Sequence, residues 1–314
     1  MRKRPLGGTG LEVTELALGT WGLCGDAYGP VPEAEQDAVI ERALSMGIRL
    51  FDTADTYAEG KMEERLGRRL PNDRSCVVVT KVGTRRDTTP SQKNFTPEFL
   101  ERSIEASAAR LGDGVVRCVL LHNPSPQAYQ RNDVGALMSG FKQRGLLHHW
   151  GVASGNVEVG RAALECGAEI LELAYNIFHA RELHQLEPEI AERNVGVLAR
   201  SVLAHGLLTG SWLPNKEFPS TDHRALRWNT DELRHRIQQL NPIRTLLSQN
   251  LPSLRAIALR FGLEHARVSS VVLGPRNGLQ LDQLVREAGR EPPYIEPERL
   301  ADLRTRLAVI GINL

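Results

Sequence analysis

The sequence predicts an α/β fold, a (β/α)8 or TIM barrel of one domain over residues 1–314, with an N-terminal β-hairpin cap and a C-terminal helix. Three observations carry this expectation. Short apolar runs recur eight times along the chain. Segments with the helical period separate them, several with proline at the start and glycine past the end. The runs also stop on polar residues, as barrel strands do at the rim that carries chemistry. Alternating strand and helix implies parallel β-α-β units, and eight of them favour closure over an open doubly wound sheet.

In chain order, Arg4–Glu15 reads as a short hairpin under the barrel, followed by the first strand at Leu16–Leu18. A helix over Glu33–Met46 ends at Gly47, where a C-terminal cap belongs. The strand Ile48–Phe51, the helix Lys61–Arg69 and the strand Cys76–Thr80 come next. Thr96-Pro97-Glu98 opens the helix Pro97–Leu111, with proline at the first helical position. Strands at Val115–Leu121, His149–Val152 and Ile170–Ala174 then alternate with helices at Val134–Arg144, Val157–Cys166 and Arg181–Arg193. Pro188 falls in the first part of the last of these helices and reads as geometry. After the strand Val195–Ala199, Gly210–Arg234 forms a long polar excursion, and a further long region ends at Phe261. The strand Val268–Leu273 and the helix Leu279–Ala288 complete the barrel. Leu300, Leu303, Leu307 and Ile310 make an apolar stripe on a final helix over Pro297–Val309.

The chain carries 39 basic and 38 acidic residues for a formal charge of +1, and the basic residues are interspersed. No nucleic-acid footprint results. Arg2–Arg4 is not followed by an apolar core, so no secretory signal is expected, and no run is long enough to span a bilayer. Cys24, Cys76, Cys118 and Cys166 show no C-x-x-C spacing, and two lie in apolar strand runs. They read as reduced, in a cytoplasmic protein. His148 and His149 lack a third ligand at a useful spacing, so no metal site is expected.

The strand ends hold the chemistry. Strand two stops at Asp52, strand three at Lys81 and strand four at His122, while Tyr57 follows in the loop after strand two. A phenol has a reference pKa of about 10. A neighbouring ammonium favours the phenolate, and a carboxylate keeps that ammonium charged and in place. Asp52, Lys81 and Tyr57 can therefore make Tyr57 a general acid, with His122 orienting a substrate oxygen, as carbonyl reduction by hydride requires.

Taken together, RPLGGTGLEVTELALGTW, FDTADTY, VVVTKVG, LLHNP, GVASGN, AYN, ARSVLAHGLLTG and VSSVVLGPRNGLQLDQL make the chain resemble the aldo-keto reductases along nearly its whole length. The resemblance implies a (β/α)8 barrel that binds NADPH without a Rossmann motif and acts on a small-molecule carbonyl substrate. It carries the catalytic tetrad onto Asp52, Tyr57, Lys81 and His122. It places Gly19, Thr20 and Trp21 beside cofactor and substrate, and Ser201, Leu203 and Gly206 in an S-x-L-x-x-G loop at the pyrophosphate. Arg276, in the turn beginning at Gly274, falls at the adenosine 2′-phosphate, and Gln280 at the adenosine. A turn opening a helix presents N–H groups to an anion, and an arginine adds charge there.

The chain departs from the family at four places. Ser154 and Asn156 replace an adjacent Ser-Asn pair in shifted register. Glu172 stands where a glutamine commonly holds the carboxamide, Arg200 where an aromatic stacks on nicotinamide, and Leu284 where an adenine-side asparagine is expected. Strand alternation puts Ile170, Glu172 and Ala174 on one face. With no cation identified beside it, Glu172 is expected to resist ionisation and to imitate glutamine. Trp21 is favoured for the substrate pocket, with Trp212, Trp228 and Tyr28 left open. Two alternatives stand beside the reductase reading. One is a reductase-like regulatory or binding protein with slow turnover, distinguishable by turnover on small aldehydes. The other is a Schiff-base aldolase using Lys81 as nucleophile, distinguishable by borohydride trapping.

Overall fold

Valine, leucine and isoleucine dominate the runs that become strands, since branched side chains pack well on a pleated surface covered on both faces. The computed structural model of the protein describes residues 1–85, 88 and 91–312. Strands β1 (Lys3–Pro5) and β2 (Glu12–Thr14) pair antiparallel as the expected hairpin. Eight parallel strands then close a barrel in sequence order: β3 (Leu16–Gly19), β4 (Leu50–Asp52), β5 (Val77–Val82), β8 (Val116–His122), β9 (His149–Ala153), β10 (Ile170–Ala174), β11 (Gly196–Arg200) and β12 (Val268–Leu273). Between β5 and β8 lies a two-stranded ribbon, β6 (Thr84–Arg85) with β7 (Gln92–Lys93), which the sequence reading does not contain. No helix among the described residues is long and apolar enough to cross a membrane.

Inward-facing residues repeat every second position and stack in layers. Ala17, Leu50, Val79, Leu120, Ile170 and Leu198 fill the barrel interior. Two residues further along the same strands come Gly19, Asp52, Lys81, His122, Glu172 and Arg200. One face of the pleat therefore supplies an apolar layer and, above it, a polar one. Outward-facing residues such as Phe51, Val78, Leu121 and Leu173 pack against the helices.

The bottom of the barrel is closed by the hairpin. Leu6 is buried, and a side chain at Gly196 would meet it within 2.7 Å. Arg4 donates to the carbonyls of Leu263 (2.7 Å) and Val268 (2.9 Å) and pairs with buried Glu15, which also accepts from the Tyr294 hydroxyl (2.5 Å). One knot thus ties the first strands to the last third of the chain.

Several boundaries differ from the sequence reading. Cys76 lies just outside β5 rather than within it, and β4 begins at Leu50 and includes Asp52. A helix over Pro126–Asn132 precedes the expected one, which runs Val134–Gln143. The excursion after β11 leads to helices at Thr230–Gln238 and Leu254–Glu264. Leu284 is buried in the outer core, so it packs its helix rather than lining a groove.

Candidate active site

Asp52, Lys81 and Glu172 meet in the upper layer, each at most 5 % exposed. The Lys81 ammonium pairs with Asp52, donates to the Thr53 carbonyl at 3.1 Å and lies 3.0 Å from Glu172 Oε2. From the neighbouring strand β11, Arg200 Nε is 3.7 Å from Glu172 Oε1, and Arg200 also donates to the Ser154 carbonyl at 2.8 Å. The expectation that Glu172 has no cation beside it is therefore corrected. It has two: Arg200 from the neighbouring strand β11, and Lys81 from β5, three strands away, because inward side chains of one layer in a small barrel converge on a common centre.

Two carboxylates on one ammonium crowd negative charge in a dry place. Burial and then the Glu172 carboxylate push Asp52 up to about 8, against the pull of Lys81. Burial works to lower Lys81, but Asp52 and Glu172 more than offset it and leave the lysine more basic than usual. Tyr57 stands with its ring centroid 5.9 Å from Lys81 Nζ. Burial pushes its phenol above the ordinary value, and Lys81 pulls it down only in part. The lowered phenol expected from the sequence is thus not the resting condition. Tyr57 rests as a neutral donor, with Lys81 placed to accept the charge it would leave behind.

His122 ends β8 beside β5. Burial, followed by the charges of Lys93, Lys81 and Arg200, holds its imidazole well below the usual range, so the ring is neutral near pH 7. Its Nδ1 is buried without a hydrogen-bond partner. Such an orphan is costly and marks a place where a ligand can complete the bonding. Lys93, on the unanticipated ribbon, donates to the His122 carbonyl at 2.6 Å and fixes that strand end. Glu63, on the helix Lys61–Arg69, is fully buried and accepts from Thr80 (2.5 Å) and Arg110 (2.7 Å). In the sequence it reads as one more polar residue of a helix, and only tertiary contact shows that it ties that helix to the outward face of β5 next to Lys81.

Two loops around the mouth are strained. Ser201, Ala204 and His205 have positive φ of 56°, 46° and 58°, and Gly206 has 99°. Non-glycine residues there cost energy and cluster at ligand-gripping sites. Leu203 lies between them in this loop. Ala58 and Glu59, directly after Tyr57, are also left-handed, and the Ala58 amide donates to Asp26 at 2.8 Å. Gly19 abuts β12, where a Cβ would sit 2.7 Å from Val272, and Thr20 Oγ1 donates to the Asp52 carbonyl at 2.9 Å. Trp21 joins Tyr28, His205 and His223 in a cluster with centroids 4.7–6.1 Å from its own. His205 and His223 are members that the sequence reading did not single out.

The remaining expected residues divide. Ser154 is buried, its one hydroxyl proton shared between the Asn156 carbonyl (2.8 Å) and Glu182 (2.5 Å), while Asn156 caps the next helix by accepting from Val159. The Asn156 side-chain oxygen is thus used as a helix cap, as that of a polar residue directly before a helix commonly is. Arg276 follows Gly274 in the turn after β12. Its amide donates to Gln280 Oε1 (2.8 Å), and its guanidinium to the carbonyls of Gly29 (2.8 Å) and Pro30 (3.1 Å). Among the described residues no cluster of histidine, cysteine or acidic side chains could hold a metal ion.

Comparison with known proteins gives this geometry a setting. The model of the aldo/keto reductase family matches residues 15–291. An uncharacterized oxidoreductase of Bacillus subtilis, YqkF, is 25 % identical over 92 % of this chain and 91 % of its own. Pyridoxal 4-dehydrogenase of Microbacterium luteolum is 26 % identical over 90 % and 92 %. Among solved structures, the glycerol dehydrogenase AKR11B4 of Gluconobacter oxydans superposes with a TM-score of 0.84 at 23 % identity, covering 99 % of this chain and 97 % of that one. This last likeness is one of fold.

Proposed function

The chain belongs to the aldo/keto reductase family of oxidoreductases, and on that premise we propose that it interconverts an aldehyde or ketone with its alcohol, using NADPH and Tyr57 as proton donor. The observation that carries the reading is the grouping of Tyr57, Lys81, Asp52 and His122 at the barrel mouth, with the ammonium seated on Asp52 beneath the phenol.

A reduced nicotinamide, when bound, supplies the hydride. The chain's own residues manage the oxygen. Tyr57 gives its hydroxyl proton to the carbonyl oxygen as that oxygen gains charge. Lys81 stabilises the phenolate left behind, and the Asp52 and Glu172 carboxyl groups together hold the lysine charged. Neutral His122 donates a ring N–H to the same oxygen and so orients the substrate. Residues around the mouth suit a dinucleotide. His122 Nδ1 has unmet bonding capacity. The strained loop from Ser201 to Gly206 directly follows the mouth end of β11, and Arg276 stands beside a helix N-terminus that favours anions. Gln280, in that helix's first turn, is the proposed adenosine contact. The whole chain is proposed to act as one unit in the cytoplasm on a small molecule.

Tyr57→Phe keeps the ring and removes the proton. Turnover of a small aldehyde such as a nitrobenzaldehyde is expected to decline by about 10²-fold or more, with NADPH affinity nearly unchanged. Near-normal turnover would refute the assignment. The Schiff-base alternative needs Lys81 to give up its proton, and the two carboxylates around it oppose that. A slow-turnover regulatory role is tested by the same assay on the unmodified protein.

A further inference from the structure

Two helices far apart in sequence lie side by side on the outside of the barrel. Arg42 on the helix Glu33–Ser45 reaches Asp282 on the helix Gly278–Glu287 at 2.9 Å. In the first turn of the former helix, the half-buried Glu35 accepts a hydrogen bond from the amide of Gly278 at 2.9 Å. Gly278 is the first residue of its helix, so its N–H is one of those without a partner inside that helix. Two residues earlier, the Arg276 guanidinium is engaged by the carbonyls of Gly29 and Pro30, which lie just before Glu35 on the same connection. Its Nε is buried without a partner.

The donors proposed above for the adenosine 2′-phosphate are therefore already turned toward acceptors of the chain. One of these acceptors is a side-chain carboxylate. We infer that Glu35 sets the cofactor preference by competing with the 2′-phosphate for the Gly278 amide and the positive end of its helix. This deepens the nicotinamide reading and rests on it. A phosphate and a carboxylate cannot share one N–H without strong repulsion, so an incoming 2′-phosphate displaces Glu35 and the connection that carries Gly29 and Pro30. A ribose 2′-hydroxyl carries no charge and can donate to Glu35 where it stands. The preference for NADPH conferred by Arg276 is in this way held down by a charge on another element.

The test uses the whole protein and four probes: NADPH, NADH, adenosine 2′,5′-bisphosphate and AMP. Glu35→Gln keeps the shape and removes the charge. It should tighten NADPH and the bisphosphate about tenfold, while NADH and AMP change by less than about twofold. Arg276→Ala should do the opposite, weakening only the two 2′-phosphorylated probes. Equal changes for all four probes in Glu35→Gln, or none, would overturn the inference while leaving the reductase reading intact. Binding of neither dinucleotide by the unmodified protein would overturn both.

Discussion

Replacing Glu172 by glutamine should change how the enzyme responds to pH more than how well it folds. In the unmodified protein, Asp52 keeps its proton up to about 8 because a second carboxylate shares its dry surroundings. Below that pH the charges on Asp52, Glu172 and Lys81 nearly cancel. Above it the cluster carries one extra negative charge, close to where the substrate oxygen must gain its own. The Tyr57 ring is 5.9 Å from Lys81 Nζ, which sets the distance scale. At that range, one charge at an effective dielectric constant of 20–40 is worth about 1.5–3 kcal/mol, or roughly ten- to a hundredfold in rate. Carbonyl reduction should therefore decline as pH rises past about 8, as the added charge weakens Tyr57 as an acid. In Glu172→Gln, Asp52 has no like charge beside it, ionises lower, and stays paired with Lys81 across the working range. The assay is kcat for aldehyde reduction at saturating NADPH between about pH 6 and 10, with NADPH affinity measured at each pH to separate binding from proton transfer. Superimposable profiles for the two proteins would refute the reasoning.

Two further outcomes follow from the same contacts. The folded pKa of Asp52 lies above its ordinary 3.8, so the unfolded chain releases this proton first. The contribution of Asp52 to stability is thus whole below that value and is lost as pH rises through the folded pKa of about 8. Thermal melts should show Glu172→Gln gaining on the unmodified protein as pH rises from about 5 to 9, and a constant difference in Tm would count against the shared cluster. Arg110→Ala should cost about 3 kcal/mol, since it strips fully buried Glu63 of its cation, and a denaturant midpoint unchanged from the unmodified protein would show that Thr80 alone suffices.

The barrel and its reactive rim are legible because both follow from short-range rules. Period-two alternation gives the faces of each strand, and the polar residue two positions past an apolar inward one lands at the mouth. Asp52, Lys81, His122 and even Arg200 emerge this way. What cannot be seen is who meets whom across the barrel. Alternation along Ile170–Ala174 points Glu172 inward, but nothing in that stretch says that Lys81 of β5 reaches the same centre. Glu35 and Gly278 lie 243 positions apart, and neither belongs to a run with a period that would link them. The Tyr57 shift fails for a related reason. The sequence shows a neighbouring cation, whereas the depth of burial that outweighs it depends on the finished packing.

The knot beneath the barrel bears on how the chain reaches its folded state during synthesis. β3 is the first barrel strand made, but one of its two ladder partners, β12, is the last barrel strand made. Arg4 must likewise wait for the carbonyls of Leu263 and Val268, and Glu15 for Tyr294. Until then the growing sheet has an open edge of apolar backbone, of the kind that invites pairing with a neighbouring chain. The first barrel strand is therefore sealed only once the chain has been made past Tyr294, and slow synthesis over the helix Leu254–Glu264 would lengthen the interval in which that edge stays open.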